Sequence, residues 1–249
     1  FLYTANALHS SLPFKFLVAS HSESSVLCHQ HGGGYGIDLC NVPEDYERKV
    51  SNIFYTWGWQ EDEKTRPLPV PPRIKASPVE KRDGVLLKCV NYPRYVNRIM
   101  FQHMGDQNNG LVDQTIRFAK ALQYLNFEVS HYPNDYGWNV KQQFVDAGIV
   151  APEKTKNDGD YALHTCNYLG TSWLETLAAD MPTICFYNPE INAFRPAAQR
   201  HIDSLERVGI LHRSPESAAD KVLEVAQHPQ DWWQTDTVQE VRNSFVGQY

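Results

Sequence analysis

Short apolar runs of strand length alternate along this chain with longer segments of helical composition. The runs that predict strands lie at residues 2–5, 25–29, 54–59, 85–90, 127–131, 161–165, 183–187 and 210–212. The segments that predict helices lie at residues 7–22, 110–125, 139–147, 173–179, 198–208, 215–226 and 231–249. Strands that alternate with helices in this way predict an α/β fold with parallel, doubly wound sheets.

A proline-rich stretch divides this pattern into two parts. Residues 65–73 contain four prolines in nine positions, and such a segment is stiff, extended and excluded from the interior of a sheet. We therefore predict one Rossmann-like domain at residues 1–66, a linker at residues 67–83 and a second Rossmann-like domain at residues 84–230. We also predict that residues 231–249 form a closing helix.

The segment 161–187 is the most informative part of the chain, because it reads as strand, polar turn, helix and strand. Such a unit places the start of its helix at the carboxyl edge of a parallel sheet, where open α/β folds bind ligands. Free backbone N–H groups and the positive end of the helix dipole favour a phosphate there. The alternative is a structural helix with a surface glutamate, Glu175.

The side chains of this turn supply the candidate ligand contacts. Thr171 and Ser172 can donate hydroxyl hydrogen bonds, and Glu175, four residues after Thr171, can accept bonds from sugar hydroxyls. His164 can reach a phosphate from the strand end, or it can be a packed core histidine. The predicted nucleotide- and phosphate-binding residues are His164, Thr165, Asn167, Gly170, Thr171, Ser172 and Glu175.

A glycine loop at residues 30–36 is the second chemical feature. Gly32, Gly33 and Gly34 are consecutive, which is tolerated where the backbone approaches a ligand closely. His31 follows an apolar strand, so its imidazole is expected at the sheet edge, as a general base or as a donor to a leaving phosphate. The alternative is a histidine that only shapes the loop.

The same HGGG sequence has a different use in esterases, where it supplies oxyanion-hole N–H groups upstream of a G-x-S-x-G nucleophile. The nearest serine context is residues 170–174, Gly-Thr-Ser-Trp-Leu, which lacks the closing glycine. An ester hydrolase therefore remains an alternative function, but its G-x-S-x-G nucleophile motif is incomplete in this sequence.

Composition narrows the function classes. A net charge of −6 and a sequence pI near 5.9 disfavour a nucleic-acid partner. No apolar run approaches the roughly 20 residues that a membrane span needs. The five cysteines have no paired spacing and no zinc pattern, which favours reduced thiols in a cytoplasmic protein and no metal site.

Several separate motifs resemble those of one protein family. These are the Thr/Ser turn followed by LETLA and by Pro-Thr-Ile, the sequence QHGGGYG at 30–36, FYTWGW at 54–59 and YPNDYGW at 132–138. Together with Asn188-Pro189-Glu190 and Arg195, they resemble a bacterial family of surface-polysaccharide transferases of the LIC12162 type. The resemblance extends from about Leu2 to the end of the chain.

The resemblance implies a GT-B-like fold with two Rossmann-like domains and a metal-independent glycosyltransferase that needs no cofactor beyond its nucleotide-activated sugar. The acceptor would be a glycan or lipid-linked molecule of O-antigen or capsule synthesis, with peripheral contact at the inner membrane face. Glu190 and Arg195 would lie near the donor, with Arg195 on a phosphate or paired with Glu190. Asp135 in the 132–138 loop can contact a nucleotide or sugar hydroxyl, or the loop is only packed by aromatic residues.

The resemblance also implies that the first domain lacks its N-terminal segment, because GT-B proteins usually exceed 300 residues. The helix at 231–249 would then cross back to that domain. A more distant similarity to Kdo transferases and CDP-glycerol glycerophosphotransferases leaves a CDP-glycerol-like phosphotransferase as an alternative. A third alternative is a non-catalytic nucleotide-binding module.

Overall fold

The computed structural model describes residues 1–68, 73–95 and 104–249. They form two separate parallel sheets with helices packed around them, so the predicted α/β class with two parallel-sheet units is confirmed. Residues 69–72 of the predicted linker lie outside the described residues.

The first sheet contains four parallel strands in the order β1-β2-β3-β4. They are β1 (Leu2–Thr4), β2 (Val26–His29), β3 (Ile53–Thr56) and β4 (Thr65–Pro67), and the helices of this unit are α1 (Ala7–Ser10), α2 (Leu12–Ser20) and α3 (Val42–Val50). Leu8, Cys28, Tyr35, Phe54 and Trp59 form its core. The strand order does not reverse among the described residues, so the doubly wound pattern expected for this sheet is not seen there.

Two predictions for this unit are corrected. The single helix at 7–22 is interrupted, because Ser11 is extended (φ −118°, ψ 110°) and its hydroxyl accepts the Phe14 N–H as the cap of α2. The proline-rich segment 65–73 starts with a strand, β4, which pairs with β3. Pro67 is compatible with that strand because β4 lies at the edge of the sheet.

The second sheet has five parallel strands in the order β6-β5-β7-β8-β9. They are β5 (Val85–Lys88), β6 (Phe127–Ser130), β7 (Leu163–Cys166), β8 (Thr183–Phe186) and β9 (Leu211–His212). The chain runs from β5 to one side and then returns to the other, so the strand order reverses between β5 and β7. Ligands of doubly wound proteins bind outside the carboxyl ends of strands at such a switch point.

Helices cover both faces of this sheet. They are α4 (Asp106–Ala121), α5 (Val140–Asp146), α6 (Thr171–Ala178), α7 (Pro196–Arg207), α8 (Pro215–Val225), α9 (Pro229–Trp233) and α10 (Asp236–Val246), with short 3₁₀ helices at Val79–Lys81 and Asp158–Asp160. One face packs mainly against α4 and α8, and the other against α6 and α7. Among the described residues, no helix has the length and apolar character to cross a membrane.

The closing helix predicted at 231–249 is two helices, α9 and α10, because helical hydrogen bonding stops at Gln234. α10 packs on the second unit, where Phe245 lies 5.0 Å from Trp173 between ring centroids and Arg242 Nε donates to the Leu177 carbonyl at 2.7 Å. The chain end reaches the first unit, where Tyr249 packs against that unit's core.

Candidate active site between the two sheets

A cavity of about 390 Å³ lies between the two units. The first unit contributes the glycine loop and the segment 38–41; the second contributes loops that follow β5, β6, β7 and β8. The residues that line it include Gly32, Gly33, Gly34, Tyr35, Asp38, Tyr92, Tyr132, Tyr136, Asn167, Tyr168, Gly170, Thr171 and Tyr187. The cavity therefore lies at the strand-order switch of the second sheet, where such folds bind ligands.

The two walls of the cavity touch at glycines. A Cβ atom on Gly33 would lie 2.3 Å from the Gly170 carbonyl oxygen and 2.8 Å from the Thr171 nitrogen. A Cβ atom on Gly170 would lie 2.3 Å from the Tyr168 ring. Both positions therefore need glycine because backbone and ring approach too closely for any side chain.

Helix α6 begins at the cavity. Gly170 precedes it, and no side chain of the described residues caps its first N–H groups, which have no acceptor within the helix. Thr171 lines the cavity, and no hydrogen bond of its hydroxyl is formed within the described part of the chain. The Ser172 hydroxyl is instead bonded to the Tyr168 hydroxyl at 2.8 Å. Of the two predicted hydroxyl donors, only Thr171 is therefore placed to meet a ligand.

The strand residues before this turn have structural contacts. Asn167 lines the cavity, but its Oδ1 accepts the Val90 N–H at 2.9 Å and its Nδ2 donates to Thr115 at 2.8 Å. The Thr165 hydroxyl donates to the Leu86 carbonyl. His164 is completely buried, and burial lowers its pKa to about 3. His164 and Thr165 do not line the cavity, because they lie within the strand below its carboxyl end.

The remaining predicted carboxylates lie away from the cavity. Glu175 is paired with Arg73 at 3.5 Å, and burial raises the pKa of Glu175. Asp135 accepts the backbone N–H groups of Asn139 and Val140 at 2.7 and 2.9 Å. Burial acts against the charged form of Asp135, but these backbone donors outweigh it and lower its pKa. Glu190 is exposed on the surface.

Aromatic residues of the Asp135 loop do reach the cavity. Tyr132 and Tyr136 stack with ring centroids 6.0 Å apart, and both line it. Among the residues that the structure describes, six tyrosines line this cavity: Tyr35, Tyr92, Tyr132, Tyr136, Tyr168 and Tyr187. Aromatic faces with polar edges suit a ligand that has both a ring and hydroxyl groups.

Arg195 joins the two units instead of facing the cavity. Its two terminal nitrogens pair with Glu44 at 2.9 Å and Glu61 at 3.0 Å, and its Nε donates to the Asp38 carbonyl at 3.0 Å. The alternative prediction, an ion pair between Arg195 and Glu190, is therefore wrong, because Arg195 pairs with Glu44 and Glu61. Each of the three guanidinium nitrogens thus has a partner in the first unit. Arg195 does not line the cavity, so the expected phosphate contact is not formed there.

His31 is turned into the first unit. Its Nε2 lies 3.1 Å from Glu47 Oε1 and 2.7 Å from the Tyr35 hydroxyl, which donates to Glu47 Oε2 at 2.9 Å. Glu47 is completely buried. The adjacent glycines line the cavity but His31 does not, so its placement supports a role in fixing the glycine loop.

Asp38 is the functional candidate that the sequence reasoning missed. It is the single carboxylate that lines the cavity among the described residues. Burial and the nearby Glu44 raise its pKa to about 7, against the opposing effect of Arg195. Its sequence signal was its position two residues after the glycine loop, at the same sheet edge as His31.

The charge around the cavity is otherwise sparse. No lysine, arginine or histidine side chain lines it in the described ranges. Residues 1–68, 73–95 and 104–249 contain no cluster of three His, Cys, Asp or Glu residues that fits a metal ion. Positive potential for an anionic ligand therefore comes from the start of α6.

Comparison with known proteins places the chain in a family. A family model described as LIC12162 family transferase matches residues 1–249. The chain therefore belongs to the LIC12162 family of transferases, as its motifs predicted. No curated protein matches it.

A search of solved structures finds the S. aureus MnaA-UDP co-structure, with 7% sequence identity and a TM-score of 0.48. The match covers 93% of this chain and 64% of that chain. This chain thus spans less than two thirds of the length of that structure's chain.

Proposed function

We propose that this transferase moves a sugar from a nucleotide-activated donor to a hydroxyl group of an acceptor. One observation carries the proposal: the uncapped start of α6 opens into an interdomain cavity at the switch point of the second sheet. Backbone N–H groups and the helix dipole at this point favour a phosphate, and they require no rearrangement when charge develops on the leaving nucleotide.

The proposed donor contacts are narrower than the sequence-based set. Gly170 and Thr171 bind the phosphate, while Asn167 and Ser172 hold the turn through their hydrogen bonds. The stacked Tyr132 and Tyr136 offer an aromatic surface for the nucleobase. His164, Thr165, Glu175, Asp135, Glu190 and Arg195 are assigned to the surrounding structure.

The acceptor and the compartment belong to the same proposal. Family membership supports a transferase; the further proposal of a glycan or lipid-linked acceptor of cell-surface polysaccharide synthesis rests on the motif resemblance alone. All five cysteines are unpaired and four of them are buried, which supports the reducing cytoplasm as the compartment. The nucleotide sugar serves as a co-substrate.

The geometry does not favour an ester hydrolase. A serine nucleophile needs a base within hydrogen-bond reach, and the Ser172 hydroxyl is bonded to Tyr168. Within the described residues, His31 is engaged with Glu47 and Tyr35 instead.

The test is a thermal-unfolding panel with CMP, CDP, UDP, GDP and ADP. A nucleotide at 100 times its Kd adds about 2.7 kcal/mol to the free energy of unfolding. Thr171→Ala should weaken binding of the responding nucleotide by about 1–2 kcal/mol, because a hydrogen bond to a charged group is lost. The matched control is Thr237→Ala, an exposed threonine in the first turn of α10.

Two results would contradict the proposal. One is a chain that none of the five nucleotides stabilises at millimolar concentration. The other is equal nucleotide affinity in Thr171→Ala and Thr237→Ala, which would remove the start of α6 as the binding site.

A further inference from the structure

We propose that Asp38 is the catalytic base that takes the proton from the acceptor hydroxyl; this inference rests on the proposed function. Asp38 lines the cavity from the first unit. The donor phosphate is proposed on the opposite wall, at Thr171. The acceptor hydroxyl must lose its proton as it attacks the sugar, and a carboxylate on the wall that faces the phosphate site can receive that proton.

Both units hold the backbone around Asp38. The Leu39 N–H donates to the Ala193 carbonyl at 2.8 Å, and the Arg195 N–H donates to the Ile37 carbonyl at 2.9 Å. The Arg195 side chain adds a bond from Nε to the Asp38 carbonyl at 3.0 Å. The backbone that carries the carboxylate is therefore held against the second unit, although Asp38 belongs to the first.

The glycine loop sets the carboxylate beside the start of α6. Asp38 Oδ2 lies against Gly34, where an added Cβ would approach it to 2.0 Å. The preceding residue, Gly33, lies against Gly170 and the Thr171 nitrogen. The Cα atoms of these two neighbouring glycines are about 3.8 Å apart. Gly33 and Gly34 therefore lie between the start of α6 and the Asp38 carboxylate.

The Asp38 carboxylate has free capacity to accept a proton. No protein group donates a hydrogen bond to it among the described residues. The neighbouring carboxylate of Glu44, by contrast, is fully buried and accepts from the Gly36 N–H, Arg48 and Arg195. Glu47 is likewise occupied by His31 and Tyr35.

The charges that face Asp38 adjust its proton affinity for this role. Burial and Glu44 on α3 raise its pKa to about 7, and Arg195 at the start of α7 acts in the opposite direction. Across the cavity, burial, then Tyr168 and Asp38, raise the pKa of Tyr92, which therefore stays neutral. A general base works best when its pKa lies near the working pH.

The step balances as a direct transfer to the acceptor. The acceptor oxygen forms a bond to the anomeric carbon, and the bond from that carbon to the phosphate oxygen breaks. The proton of the acceptor hydroxyl passes to Asp38. The nucleotide leaves with the bonding electron pair, and the N–H groups of α6 stabilise its new charge.

The experiment separates nucleotide binding from turnover. Nucleotide release from UDP-N-acetylglucosamine, GDP-mannose and CMP-N-acetylneuraminate is measured with water as the acceptor, alongside the Kd of the matching nucleotide. Asp38→Asn should lower the release rate by about 10²–10⁴-fold and leave the nucleotide Kd unchanged or lower. The wild-type rate should fall below about pH 7, and Asp38→Asn should lose that pH dependence.

Asp113→Asn is the control, because Asp113 is exposed on α4; it should match the wild-type chain. His31→Asn tests the competing base. The Asn amide can still donate to Glu47 and help to hold the glycine loop, so its rate loss should be much smaller than that of Asp38→Asn. A wild-type rate in Asp38→Asn, together with intact nucleotide binding, would overturn the role of Asp38 and leave the proposed function standing. A wild-type chain that binds no nucleotide would remove the proposed function itself.

A chain that binds a nucleotide but turns over none of the three donors is examined by ¹³C NMR. The Asp38 carboxyl signal is assigned from its loss in Asp38→Asn. Titration at about pH 7 supports the proposal, whereas titration at the ordinary value near 3.8 overturns it.

Discussion

The two walls of the cavity both follow parallel strands, yet they are built in different ways. On the second-unit wall, β7, the polar turn and α6 follow each other directly in sequence. On the first-unit wall, the glycine loop and Asp38 lie in a longer connection between β2 and α3, and their backbone is bonded to residues 193–195 of the other unit. One wall is thus a local strand–turn–helix unit, and the other depends on tertiary contacts.

This difference assigns phosphate binding to one wall of the cavity and the proposed proton transfer to the other. The proposed phosphate site needs only the start of α6, whereas the backbone of the proposed base is held by Arg195 of the other unit. Damage to the interface should therefore disturb catalysis more than nucleotide binding.

The largest stability effect is expected for Arg195→Met. The substitution leaves Glu44 buried without one of its two arginine partners, and breaking a buried ion pair typically costs about 3–5 kcal/mol. We expect about 3 kcal/mol in urea unfolding, because Arg48 and the Gly36 N–H remain. Nucleotide affinity should be largely retained, since the second-unit wall is intact.

Arg213→Met is the control for that change. Arg213 is mostly exposed and pairs with Glu206 at the surface, where ion pairs are worth about 0–1 kcal/mol. Equal destabilisation by the two substitutions would show that Arg195 adds nothing as an interdomain contact. Loss of nucleotide binding in folded Arg195→Met would show that the second-unit wall is not self-sufficient.

The same difference explains how much the sequence could predict. The unit at 161–187 was predicted closely, because apolar period, turn residues and helix start are all local signals. The α/β class and the family followed from such signals repeated along the chain. Gly33 was predicted where the backbone approaches a ligand and Gly170 as a phosphate contact. The contact that these two glycines make with each other is not visible in either motif alone.

The errors arose where long-range contacts decide the outcome. His31 was predicted to face the cavity, but Glu47, sixteen residues later, holds its ring. Arg195 was expected near a phosphate, but Glu44 and Glu61 of the first unit bind it. Asp38 was missed because its importance comes from Arg195, Glu44 and the cavity itself, none of which follows from its neighbours in sequence.

Gly33→Ala tests the contact between the two walls. The added Cβ would lie 2.3 Å from the Gly170 oxygen, so the walls must move apart. Forced overpacking of this kind costs about 1–3 kcal/mol. Nucleotide affinity should fall as well, because the displaced residues include the first nitrogen of α6.

The matched control is Gly110→Ala in α4. A Cβ there meets no heavy atom within 4 Å, and alanine within a helix is favoured by about 0.5–1 kcal/mol over glycine. The two substitutions should therefore change the free energy of unfolding in opposite directions. Stabilisation by Gly33→Ala would mean that the two walls do not touch in solution.

The smallest effect is expected in the pH dependence of stability. The pKa of Asp38 rises from 3.8 to about 7 in the folded chain, so folding favours its protonated form. That contribution is present below pH 4 and is lost as the pH rises through 7. Asn resembles the protonated form at every pH. Asp38→Asn should therefore match the wild-type stability near pH 4 and exceed it by about 1–2 kcal/mol at pH 8, after allowance for solvent screening.

The measurement is urea unfolding at both pH values, with Asp113→Asn as the control that shows no such gain. A difference between Asp38→Asn and the wild-type chain that stays constant from pH 4 to pH 8 would mean that the interface leaves the carboxyl with an ordinary proton affinity. The first-unit wall would then hold the position of Asp38 without preparing its chemistry.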